Sequence, residues 1–143
     1  MKRIEEGKLF RSSDLYLCAF LLAKGAELLS TDAKNPSRIE FLITPKPTTE
    51  DLEAWSLYQL GLQHADSYTR EGFVAARERF TLAAERDPHF ATAMAQLVFV
   101  NLWEVVLGWN DQPVEGIADA LELARNAASL DPRDPAAQAA LGW

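Results

Sequence analysis

The stretch Ala76–Leu97, A-R-E-R-F-T-L-A-A-E-R-D-P-H-F-A-T-A-M-A-Q-L, returns 44 residues further along the chain. Ala76, Glu78, Ala83, Ala84, Asp87 and Pro88 come back as Ala120, Glu122, Ala127, Ala128, Asp131 and Pro132. Ala93, Ala95 and Leu97 come back as Ala137, Ala139 and Leu141. Recurrence at a fixed period outranks any single-residue clue, because it marks a chain built by stacking one supersecondary unit on the next. The residue types make physical sense of the recurrence. Alanine and glycine remove bulk where two helices cross closely, while leucine and phenylalanine fill the adjoining holes. Asp-Pro ends a helix, since proline disfavours helical geometry at the residue before it.

The spacing within each copy is specific. Ala76 is followed by Phe80, Ala83 and Pro88; the later copy reads Ala120, Ala124, Ala127 and Pro132. A preceding helix carries Leu60-Gly61 in one copy and Leu97-Val98 in the next, and Leu141-Gly142 opens a third. On these positions residues 51–143 resemble the tetratricopeptide-repeat family. The resemblance implies a mainly α chain of antiparallel helical hairpins, an α-solenoid of two copies plus the start of a third. Departures from the family pattern are Leu57, Met94 and Gln138 at the early aromatic position of the first helix, and His64 and Asn101 at the later one. The turn within a repeat is also overlong, by about three residues in the first copy and about ten in the second, against a 34-residue period.

Residues 1–46 hold eight Lys/Arg, including all five lysines, against six Asp/Glu, a balance of +2. Residues 47–143 hold six Arg against fifteen Asp/Glu, a balance of −9. Two units with different surfaces follow from that asymmetry. The acidic half lacks the clustered cations that nucleic-acid backbones require, so no nucleic-acid partner is expected. The single cysteine, Cys18, excludes an intramolecular disulfide, suits a reducing, cytoplasmic setting, and reads as a small buried hydrophobe within the apolar run Leu15–Ala23. That run is too short to span a bilayer, and acidic Glu5, Glu6 and Asp14 spoil a signal-peptide reading, so a buried core helix and no membrane partner are expected.

In chain order, residues 1–45 read as a strand-helix-hairpin α+β unit. It has a strand at Lys8–Arg11, a helix capped by the Ser12-Ser13-Asp14 cluster and stopped at Lys24-Gly25, and strands at Ala26–Thr31 and Arg38–Thr44 around a loop at 32–37. This unit resembles a small bacterial domain of unknown function, a resemblance that brings no activity. A stiff proline-rich linker covers 46–50, within Thr44-Pro45-Lys46-Pro47-Thr48-Thr49. Helices are expected at Glu50–Asp66, Arg70–Arg86, Phe90–Leu107 and Pro113–Leu130, with Asp111 and Asp134 as capping acids and Trp109 as a packing lid in the overlong turn. The third of these helices is apolar almost all round, as the centre of a stack should be.

No nucleophile elbow, phosphate loop or zinc motif occurs, and His64 and His89 have no ligand neighbours in sequence, so no catalysis, metal or cofactor is expected. The face left free by the small-residue motif takes in Trp55, Tyr58 and Leu62, then Ala95, Phe99, Leu102 and Trp103. Aromatic anchors on a helical wall suit a protein or peptide partner, which makes a non-catalytic interaction scaffold the leading expectation. The alternative places this chain within a larger bacterial signalling or transcription regulator, because such overlong repeats resemble those attached to nucleotide-cyclase or winged-helix regulators. The third copy breaks off at Leu141-Gly142-Trp143 and leaves Ile117, Leu121 and Ala124 with little to cover them. Either the protein continues, or this open C-terminal repeat edge pairs with another copy as a homo-oligomer.

Overall fold

A computed structural model describes residues 6–35 and 37–142. Residues 1–5, Pro36 of the expected loop and Trp143 lie outside the described residues. The chain divides into two compact units between Thr49 and Glu50.

The N-terminal unit is a three-stranded antiparallel sheet with one helix. Strand β1 (Phe10–Ser12), helix α1 (Leu15–Ala23), strand β2 (Glu27–Asn35) and strand β3 (Arg38–Thr44) form a sheet in the order β1-β3-β2. Asp14 caps α1 by accepting from the Leu17 amide at 2.9 Å, as the Ser-Ser-Asp cluster predicts. Gly25 ends it in the left-handed region (φ 97°), where its amide donates to Leu22 and that of Ala26 to Leu21. Only one side of α1 is buried, through Cys18, Phe20 and Leu21; Leu15 and Tyr16 are exposed, so the expected core helix is one-sided. Strand β1 lies two residues later than expected at its start. Strand β2 runs through Asp32–Asn35 instead of looping, because pairing persists at Asp32 with Glu40 and Asn35 with Arg38 across register irregularities. The Asp32 and Asn35 side chains accept from the Lys34 and Ser37 amides, so turn-type bonding is met inside the hairpin itself.

The second unit is all α: α2 (Thr49–Ala65), α3 (Arg70–Arg86), α4 (Ala91–Val106), α5 (Pro113–Leu130) and α6 (Pro135–Leu141). Successive helices pair as hairpins, α3 with α4, α4 with α5 and α5 with α6, while α4 and α6 lie alongside one another. Helix α4 is therefore touched from several sides and is buried through Ala91, Ala93, Ala95, Leu97, Val98 and Val100. Its exit is made by Gly108 (φ 70°), which lets the Trp109 amide reach back to the Glu104 carbonyl at 2.8 Å.

The two copies repeat in atomic detail. Asp87 and Asp131 end their helices with φ,ψ of −131°, 93° and −138°, 95°. Each carboxylate then accepts from the amide two residues on, His89 at 3.1 Å and Arg133 at 3.0 Å. Ala76, Ala83 and Ala93 are buried, as are Ala120, Ala127 and Ala137. Gly61 touches Phe80 so closely that a Cβ there would lie 2.5 Å from the ring. At the matching crossing Val98 faces Ala124 within one apolar cluster.

Two expectations need correction. Ala124 is buried against Ala95, Val98, Ala120 and Ala140, because α6 is long enough to cover that end of α5. Asp111 does not cap α5. Gln112 holds the cap position without a side-chain bond, and Asn110 Oδ1 takes the Gln112 amide at 2.7 Å. Asp134 does cap α6, accepting from the Ala137 amide at 2.8 Å, while its other oxygen takes the Thr92 hydroxyl.

Candidate functional site

The six aromatic and aliphatic residues expected to form a groove divide into two groups, three on α2 and three on α4. Tyr58 on α2 turns inward. Its ring lies against Trp55, Phe80 and Phe90 at centroid distances of 5.6, 5.8 and 5.1 Å. Its hydroxyl is hydrogen-bonded to the Gln96 side chain of α4. Burial pushes that hydroxyl's pKa up, the Asp134 carboxylate pushes it further, and the Gln96 bond opposes both. Tyr58 is thus a strut between α2 and α4 rather than a contact surface. Trp55 and Leu62 flank it and are half-buried.

Phe99, Leu102 and Trp103 come together on α4. With Val106 they line an almost wholly apolar depression of about 80 Å³. Phe99 and Leu102 back onto the cluster of Ala95, Val98, Ala120, Ala124 and Ala140, so their rotamers are held by packing. Trp103 is 39% exposed and Val106 69%. Ala95, read as part of the same face, is instead fully buried beneath it. Val106 was not among the sequence candidates, yet its spacing of seven from Phe99 and three from Trp103 put it on their stripe.

A second concavity, about 530 Å³ and polar, opens between α3, α4 and the turn after α4. Its lining includes Arg70, Val74, Arg77, Glu104, Trp109 and Asp111. At its base the Glu104 side chain, only 8% exposed, forms an ion pair with Arg77. Arg77 Nε is buried and makes no hydrogen bond, and burial lowers the pKa of its guanidinium. The Arg70 guanidinium donates to the Trp109 carbonyl at 3.3 Å, and the Trp109 ring packs on Phe73 at 5.6 Å. Trp109 acts as the expected lid over Phe73. Sequence reading gives no signal for this pair, because Glu104 stands in a helix that is otherwise almost all apolar. Burial came with Arg77, 27 positions away.

His89 is exposed and His64 half-buried. Among the described residues no three His, Cys, Asp or Glu side chains gather as a metal cluster, and no helix is long and apolar enough to cross a membrane. Burial raises the pKa of the Cys18 thiol, with Asp14 adding to the shift and a bond to Ser12 opposing it, which lowers its thiolate fraction. In comparison with known proteins, the chain matches no family model and no curated protein.

Proposed function

We propose that residues 51–143 are a non-catalytic protein-interaction scaffold of tetratricopeptide-like repeats, stacked as an α-solenoid, whose face on α4 takes an apolar side chain of a protein or peptide partner. The observation that carries the reading is the depression of Phe99, Leu102, Trp103 and Val106. A helix whose residues outside this depression are all buried or half-buried keeps its largest aromatic partly in solvent there, on a packed floor. Rigid aromatic anchors over a packed floor lose little conformational entropy on binding, which is why such residues dominate interaction energetics. Trp55 and Leu62 extend the apolar character of the unit on α2, and Tyr58 holds α2 against α4 behind them.

The test is selection of a displayed peptide library on the purified chain, with Trp103→Ala as the counter-selection. Peptides carrying aromatic or aliphatic anchors should bind the native chain and lose at least about tenfold in affinity on Trp103→Ala, the order of a hot-spot residue. Because Trp103 is partly exposed, the variant should keep its helical circular dichroism. A library that yields no binder, or binders indifferent to Trp103→Ala, would remove the reading.

A further inference from the structure

The polar concavity beside α3 rests on an asymmetric ion pair. Glu104 is its buried member, with a side chain 8% exposed, while the Arg77 side chain is 41% exposed and lines the cavity. A buried carboxylate that pins a half-exposed arginine fixes the guanidinium in place and leaves it N–H donors to spare. Arg70 lines the same cavity and gives one N–H to the Trp109 carbonyl. The helix itself does not require either arginine. At the matching positions 44 residues on, α5 carries Val114 and Leu121 and still forms over its full span. What the first copy adds at these positions is the concavity, whose volume of about 530 Å³ lies within the range of small-molecule sites. Its other wall is the overlong turn after α4, which brings Trp109 and Asp111 to it.

Arg70, Val74 and Arg77 stand four and three residues apart, on one face of α3. Val74 is 46% exposed between the two cations. The stripe reads cation, aliphatic, cation over about 10 Å of helix, at about 1.5 Å per residue. Its chemical complement is a short aliphatic chain with a carboxylate at each end, because an arginine fork matches a planar carboxylate with two parallel N–H···O bonds. Glu104 does not oppose such a ligand, since Arg77 offsets its charge. Asp111 is exposed in the same cavity and would repel a plain dicarboxylate. A ligand that also carries an ammonium group turns that repulsion into a third contact. An amino acid with an acidic side chain has all three groups, two carboxylates and one ammonium on a short carbon chain.

We propose that the concavity between α3, α4 and the turn after α4 binds a free acidic amino acid, its carboxylates on Arg70 and Arg77, its ammonium on Asp111 and its methylenes over Val74. Glu104 stays beneath, paired with Arg77. The site shares no residue with the apolar depression on α4, so either proposal can fail without the other.

Isothermal titration calorimetry of the 143-residue chain at low salt, with L-glutamate as the probe, reads the binding directly. Glutamate should bind at one site per chain. 2-Aminobutyrate, which lacks the side-chain carboxylate, should bind at least about tenfold more weakly. Glutarate, which lacks the ammonium, should bind about threefold more weakly, the scale of one exposed charge contact. Arg70→Val installs the residue of the second copy at an exposed position. It should keep the circular dichroism while losing at least about tenfold in glutamate affinity. Arg77→Lys keeps the charge facing Glu104 but loses the fork, with a similar drop. Asp111→Asn should weaken glutamate and strengthen glutarate, so that the preference between them vanishes. A merely structural Arg77–Glu104 pair predicts none of these ligand effects. No binding of glutamate in the millimolar range would overturn the proposal. So would binding indifferent to Arg70→Val, or a glutamate preference that survives Asp111→Asn.

Discussion

The two repeat copies solve the same crossing with opposite choices of size. In the first, Gly61 has no side chain and Phe80 fills the space; in the second, Val98 supplies bulk and Ala124 yields. What is preserved is the sum at the contact, as close packing demands. The helix ends, by contrast, are preserved residue by residue, because an Asp-Pro stop works through local backbone geometry and cannot be exchanged across a crossing. Where the copies differ in polarity the reason is again the neighbour. Arg77 faces Glu104, while its counterpart Leu121 faces outward. A repeat thus keeps its local signals by identity and its packing by compensation.

The sharpest way to break that comparison is a size exchange at the first crossing. Phe80→Ala should cost about 3–5 kcal/mol through the cavity it leaves. Gly61→Val should cost about 3 kcal/mol, since the ring it meets is itself fully buried. The double variant, which installs the second copy's solution, should cost at least about 1 kcal/mol less than the sum of the two. Strict additivity in denaturant melts would mean the two residues do not share one space.

The charged difference is tested by giving the first copy the second copy's residue. Arg77→Leu should destabilise by about 2 kcal/mol, below the range for a fully buried pair because the arginine is partly exposed, and Glu104→Leu added to it should recover most of the loss. If the single variant melts like the native chain, the pair carries no structural weight.

Gly72 and Gly116 sharpen the comparison on a finer scale. A Cβ at Gly72 would lie 2.6 Å from the His64 carbonyl oxygen and also meet Ser67 Oγ. One at Gly116 would meet the Asn110 side-chain amide, which can rotate away. Gly72→Ala should therefore cost about 2 kcal/mol and Gly116→Ala about 1 kcal/mol or less. The reverse order would show that the α4–α5 turn is the more rigid of the two. Smallest of all, Glu78→Gln and Glu122→Gln, at matched exposed positions, should each stay within about 0.5 kcal/mol.

Much of the architecture was legible in the residues because its signals are local. Helices α3 and α5 occupy the expected spans, Arg70–Arg86 and Pro113–Leu130, since Thr69 caps the first, proline starts the second and Asp-Pro stops both. The sheet unit was read less well. Polar residues at 32–35 look like a loop, yet they stay paired because a hairpin strand can satisfy its turn bonds side chain to backbone. Within the candidate site, helical period puts Phe99, Leu102 and Trp103 on one face of α4, where they line one depression, but Ala95 on that same face and Tyr58 on α2 are buried. Period alone tells which residues share a face. Which part of that face a neighbour covers depends on how the helices cross.

By itself the sequence determined the recurrence, the positions of the small residues at the crossings, and the stops at Asp87 and Asp131. These rest on backbone geometry and side-chain volume within a few residues. Only the tertiary structure decided that Glu104 is a buried partner of Arg77, that Tyr58 braces α2 against α4, and that Val114, Ile117 and Leu121 stand uncovered while Ala124 does not. Burial is a property of pairs of elements, and the desolvation that turns a polar residue into an ion pair, or an aromatic into a strut, exists only once two helices have met.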